Sequence, residues 1–287
     1  MTRRNLLGLL GWLSASASES RAGEALFHYR AKATILMLSV PLYTRESVGG
    51  AYLRVTERGS GAERRIDLAF AAGSLPERVA GMKRLGVFEE SIVEQSGVLA
   101  RASYFGFMTA SNEKNLEQAR AALKENEAAG NVTAIRGRID GRWVWNRLAR
   151  LSGLAAVGWE QHRSLSVEVR RLLETSHGEE REIEAAPAQC PHTFLYAVHR
   201  AMRASGPVEQ NFVHNGELLT LRTEPSGAAS EGGAAVPLTG RILHLSGKPL
   251  SSFQLWYDPH AAVLAPVRFE FRPRSFLRLS FERVPAA

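Results

Sequence analysis

The chain is poor in the residues that most often carry chemistry or anchorage. Cys190 is the one cysteine in 287 residues, so no internal disulfide can form and a disulfide-stapled miniprotein is excluded. No apolar run approaches the roughly 20 residues that a helix needs to cross a bilayer, which excludes a polytopic helical membrane protein. Charge of one sign is scarce too. Thirty-six basic against 29 acidic residues leave a net +7, too modest for the length to argue for nucleic acid. No Gly-x-Ser-x-Gly elbow is present, so an α/β-hydrolase nucleophile lacks its signature. Gly59-Ser60-Gly61 is a tight turn rather than a phosphate cradle, because no helix and no Gly-Lys-Ser/Thr follow.

Disorder is excluded as well. Hydrophobic residues make up 45% and charged residues 23%, enough to bury a sizeable core. Eight histidines are spread along the chain, and only Cys190, His192 and His199 approach a ligand spacing. On one helix His192 and His199 would stand about 10 Å apart along the axis, too far for one zinc ion. They read as structural, and neither a metal nor a cofactor is expected. Glu89-Glu90 and Glu179-Glu180 sit in polar contexts and read as solvated surface.

The first residues have a basic start at Arg3-Arg4, an apolar run from Leu6 to Leu13, and then small residues. These are the three parts of a secretory signal, with Ser20-Arg21-Ala22 as the cleavage site. The expectation is a signal peptide over 1–22 and a single β-rich domain over 23–287, periplasmic or secreted, with no transmembrane anchor. Cleavage removes three arginines and one glutamate and leaves +5. Thr2-Arg3-Arg4-Asn5-Leu6-Leu7 also resembles a twin-arginine signal, with Leu where Phe is commoner.

Beyond the leader the dominant pattern is alternation with period two. Phe27, Tyr29, Ala31, Ala33 and Ile35 share one face of a half-buried strand. Further strands are read from Tyr52, from Arg65, over 87–95 and 99–108 across a Ser96-Gly97 turn, and over 131–139. Helical spacing appears over 111–126 and from Pro191 to Met202, the latter with Phe194, Ala197, Val198 and Ala201 as its stripe. Residues 158–175 fit either period. The last eighty residues read as antiparallel hairpins, with Asn215-Gly216 as the clearest turn.

Leu255-Trp-Tyr-Asp258 and Leu264-Ala-Pro-Val-Arg-Phe269, in that order after a helix and hairpin, resemble a family of uncharacterised exported bacterial proteins. That family has a Trp-Tyr-x-Asp segment before a Leu-Pro-Val/Ile run. This chain departs from it by inserting Ala265 and by placing Pro259 after Asp258. The resemblance covers most of 25–284. It implies a strongly curved antiparallel sheet, similar to the half-barrel lipoprotein carriers of the periplasm, which hold helices or an acyl chain in their concave face. No catalytic residue is implied. The expected fold class is therefore mainly β (α+β): a curved sheet or half-barrel with two or three helices packed on its concave side.

Two clusters are candidate binding residues. Trp143 and Trp145 share one side of a strand, and Trp256 and Tyr257 face opposite ways on another. Such aromatics can line a groove for an apolar ligand, or fill the core. Arg268, Arg272 and Arg278, with Arg274 and Arg283 nearby, form a basic stretch suited to anionic head groups or a partner, or to charging an exposed edge. The functional expectation is an exported, non-enzymatic envelope protein. It would bind a lipid, another hydrophobic or amphiphilic ligand, or an envelope protein in a curved-sheet groove. The alternatives are a twin-arginine-exported enzyme or cofactor protein, and a scaffold that docks a partner through an unpaired edge.

Overall fold

A computed structural model describes residues 23–37, 39–59, 62–74, 85–109, 131–152, 154, 162–186, 189–226, 235–275 and 277–285. The leader over 1–22 and the helical spacing over 111–126 lie outside the described residues.

Among the described residues, one sheet holds fifteen strands. The first run is β1 (Gly23–Met37), β2 (Val40–Arg58), β3 (Glu63–Ser74), β4 (Leu85–Gln95), β5 (Val98–Thr109), β6 (Asn131–Asp140), β7 (Trp143–Ser152) and β8 (Glu179–Glu184). The second is β9 (His192–Thr193), β10 (Val208–His214), β11 (Glu217–Pro225), β12 (Val236–His244), β13 (Pro249–Tyr257), β14 (Pro266–Arg274) and β15 (Leu277–Arg283). Each run is a meander of nearest neighbours. They are fused by the antiparallel pairing of β1 with β15, from Tyr29↔Arg283 to Ile35↔Leu277. The edge strands of the open sheet, β8 and β9, are consecutive in sequence. Among the described strands, only β9 and β10 pair in parallel.

Turn chemistry explains the tight hairpins. Ser96-Gly97 and Asn215-Gly216 both have two consecutive positive φ angles, 51° with 78° and 50° with 75°. That geometry matches the twist of the flanking strands.

Two helices are described, α1 (His162–Thr175) and α2 (Phe194–Arg203). The ambiguous 158–175 segment is thus helical where described. The register shows that α1 and α2 lie on opposite faces of the sheet. Leu165, Val169 and Leu173 of α1 pack with Phe105, Phe107, Ala134 and Ala149. Tyr196 of α2 packs with Ala102, Ile139 and Val144. Along β5, β6 and β7 these two sets have opposite parity, and successive strand residues point to opposite faces. Of the two described helices, only one can therefore lie on the concave side; the expected helix over 111–126 is outside the described residues. A register between elements so far apart in sequence is not written in either pattern alone.

The sheet is strongly curled. Phe70 on β3 and Phe269 on β14 touch with ring centroids 5.8 Å apart. Those strands are four positions apart in the order, which in a flat sheet would be about 19 Å. Phe88 on β4 and His214 on β10 approach to 6.3 Å although eight strands lie between them. The architecture is barrel-like, with its gap between β8 and β9.

Candidate functional site

The α2 segment is where the two halves of the sheet meet around one element. Its Ala197 packs with Phe212, Leu219 and Leu221, and its Ala201 and Met202 pack with Leu238, Leu255 and Tyr257. Its Tyr196 reaches the first meander. The stripe legible in the sequence thus packs against the second run of strands, and Tyr196, outside that stripe, reaches the first.

The start of α2 is set by a residue 104 positions earlier. Thr193 occupies the N-cap but its side chain makes no cap bond. Glu90 on β4 takes that role. Its Oε2 accepts from the Thr193 hydroxyl at 2.5 Å and the Tyr196 amide at 2.9 Å, and its Oε1 accepts from the Leu195 amide at 2.8 Å. A carboxylate satisfies amides that the first helical turn leaves without partners and suits the positive end of the helix dipole. Pro191 therefore lies outside the helix, and His192-Thr193 pairs with β10 instead.

Glu90 is 6% exposed, so the reading of Glu89-Glu90 as solvated surface is corrected for Glu90. Burial raises its carboxyl to about 7, against the hydrogen bonds from Thr193, Leu195 and Tyr196 that favour the anion. A signal was present: Phe88, Glu90 and Ile92 share a strand face, which places the carboxylate among apolar neighbours. Glu89 points to the other face and bonds Arg170 of α1 at 2.6 Å.

Further polar side chains line the same face. Tyr104 donates to Asn146 Oδ1 across β6. Gly137 lies between them: a Cβ there would stand 2.3 Å from the Tyr104 ring and hydroxyl. Elsewhere on this face, Tyr196 donates to Glu94, and Arg64 bonds Glu57 while approaching Glu94 at 3.6 Å. His199 Nε2 stands 3.3 Å from Glu57 Oε1. Glu57 is held down at about 2, first by the polar contact from His199 and then by Arg64, against partial burial.

A cleft of about 400 Å³ opens beside α2, lined by Cys190, His192, Arg200, Val208, Glu209, Gln210 and Asn211. Arg200 Nη1 lies 2.8 Å from His192 Nε2. Burial, and then the Arg200 charge, lower His192 to about 4, so the neutral ring accepts from the guanidinium. His192 Nδ1 is buried without a hydrogen-bond partner. The structure brings Cys190 and His192 to one cleft and sends His199 to Glu57. Cys190 is exposed. Among the described residues no three His, Cys, Asp or Glu side chains are grouped to hold a metal.

The aromatic candidates are not brought together. Trp143 is exposed under the Arg142 guanidinium, and Trp145 lies half-buried beside Arg136 and Arg138. By register both are on the α1 face, away from α2. Trp256 is half-buried beneath Arg268 at 4.8 Å, with eight strands between it and the other two. Tyr257 is buried against α2 and is core. Arg268 and Arg278 converge on Glu270, which lies partly buried and also accepts from Ser280. Arg272 is exposed, and its guanidinium reaches the Ser39 hydroxyl at 3.5 Å.

No family model matches the chain, and no curated protein matches it. Among solved structures it is similar to the crystal structure of a β-barrel-like protein of domain of unknown function DUF1849 from Brucella abortus. The identity is 6%, over 90% of this chain and 95% of that one, with a TM-score of 0.44. No described helix is long and apolar enough to cross a membrane.

Proposed function

We propose that the chain is an exported, non-enzymatic envelope protein that binds an amphiphilic ligand beside a helix held in the hollow of its curved sheet. The α2 face is the concave one in this reading, since Phe70 and Phe269 on that face touch across four strand positions. The observation that carries the proposal is the cleft at the flank of α2. Its Arg200, His192, Gln210 and Asn211 offer a cation and neutral donors to a polar head group, next to the apolar packing between helix and sheet. Pockets of this kind pair a few polar fixers with apolar surroundings.

Native mass spectrometry of the protein purified from its own envelope tests this. An adduct of one amphiphile per chain is expected, reduced at least tenfold in Arg200→Ala with the fold retained. A bare mass in both, with no thermal shift on adding a lysophospholipid or fatty acid, overturns it. N-terminal sequencing of the exported chain should begin at Gly23.

A second reading is an envelope enzyme exported folded. It is favoured by the exposed Cys190 thiol in the same cleft as a His192 whose titration is displaced, a combination that concentrates at functional sites. A thiol alkylation rate that inflects only near the ordinary thiol value of about 8.5 argues against it.

A further inference from the structure

Among the described residues, six of the thirteen exposed large apolar side chains gather at two neighbouring turns. Met37, Val40, Leu42 and Tyr43, between 57% and 60% exposed, crown the β1–β2 hairpin. Leu245 and Leu250, each nearly half exposed, flank the β12–β13 turn. These two turns stand at one level. Ala33, Leu279, Phe271, Phe253 and Gly240 form a row across β1, β15, β14, β13 and β12. Four residues up from that row stand Met37 on β1 and Pro249 on β13. The β14–β15 turn, where Arg274 pairs with Leu277, lies between them. One end of the sheet thus carries two apolar tips, where scattered single apolar residues would be ordinary.

The flanks are basic. Arg45, Lys248 and Arg272 are exposed at this end, and among the described residues no carboxylate lies within ion-pair distance of any of them. This separates Arg272 from Arg268 and Arg278, whose charge Glu270 already answers. Glu46, the nearest carboxylate on β2, is taken by Lys32 at 3.3 Å.

We propose that this end docks on an anionic lipid surface, with the β1–β2 tip entering the head-group boundary and Arg45, Lys248 and Arg272 meeting phosphate groups. Aliphatic and aromatic tips with a cationic collar suit the interface of a bilayer. A protein strand is the poorer occupant of the free flank of β2, because Pro41 removes a donor there and a bulge at Ser47, with φ at 54°, breaks the ladder. The inference goes beyond ligand binding in the cleft and does not depend on it.

The test is co-sedimentation of the full chain with phosphatidylglycerol–phosphatidylcholine vesicles and with pure phosphatidylcholine vesicles. Binding to the anionic vesicles is expected, weakened by added salt. It should fall about fivefold for Arg272→Ala and at least about tenfold for Val40→Asp combined with Leu42→Asp. Both substitutions lie on exposed positions and should leave the circular dichroism unchanged. A Val40→Trp variant reports insertion separately, through a blue shift of its emission on the same vesicles. Arg200→Ala should bind vesicles like the parent, which keeps failure of the cleft reading distinct. Equal pelleting of parent and tip variants overturns the proposal. So does a dimer in sedimentation velocity that the tip variants dissolve while vesicles leave the parent unbound.

Discussion

Replacing Glu90 offers the sharpest probe of what holds α2 in place. In the fold its carboxyl titrates near 7, pushed up by burial, against 4.5 when exposed. The folded chain therefore binds more protons than the unfolded chain between those pH values. Stability contributed at this site falls as pH rises from about 4.5 to about 7 and is level above. The full span corresponds to about 3 kcal/mol. Glu90→Gln removes the titration but keeps the size. The stability of the parent minus that of Glu90→Gln should therefore decline by about 3 kcal/mol across that window.

Glu90→Ala asks a different question. It leaves the Leu195 and Tyr196 amides buried without an acceptor, at about 1–3 kcal/mol each, and opens a small cavity. At pH 5, where the protonated carboxyl still accepts both amides, a loss of about 3–5 kcal/mol is expected. Urea unfolding followed by far-ultraviolet circular dichroism across the pH range measures both, with slopes compared to exclude a change in the unfolded state. His192 titrates in the opposite sense but is present in all three chains and cancels. A pH-independent difference between parent and Glu90→Gln would refute the reasoning. An Ala variant within about 1 kcal/mol of the parent at pH 5 would do the same.

Three further outcomes are expected. His192, lowered to about 4 from 6.5, contributes stability that is present above about 6.5 and lost as pH falls towards 4. His192→Asn should abolish that acid-side slope, of about 3 kcal/mol, in thermal melts at stepped pH. Gly137→Val should force the Tyr104 ring off β6 and break its bond to Asn146, costing about 2–4 kcal/mol in urea midpoint measurements; Gly137→Val combined with Tyr104→Ala should recover part of it. Trp143→Ala, at an exposed site on the face opposite α2, should change stability by less than about 1 kcal/mol and leave any native-mass adduct untouched.

Much of the fold was legible because one face of most strands is buried, and burial writes a period of two into the sequence. The Ser96-Gly97 and Asn215-Gly216 turns were legible for a local reason, their need for positive φ. The apolar stripe of α2 was readable as well. Its first residue was not, because the cap comes from Glu90 rather than from Thr193. The aromatics show the limit most plainly. Alternation placed Trp143 with Trp145 on one side of β7, yet only the register across β5, β6 and β7 shows which side faces α2. Cys190 and His192 were noticed for their spacing, while Arg200, which sets the state of the imidazole, became visible only once α2 folded back beside β9.

The seam between β1 and β15 has a consequence for how the chain reaches its folded state. The first of the described strands is completed by the last of them, with Tyr29 opposite Arg283. Throughout synthesis or passage across a membrane, the β15-facing edge of β1 carries unpaired backbone groups and waits for more than two hundred residues to follow. Such an edge is a template for mispairing with another copy, and the long separation slows its closure. A chain that stops short of Leu277 would leave two open edges in the middle of the sheet in addition to the gap between β8 and β9. A permuted chain begun at β9 and ended at β8, with residues 287 and 23 joined, would turn that late closure into a local hairpin.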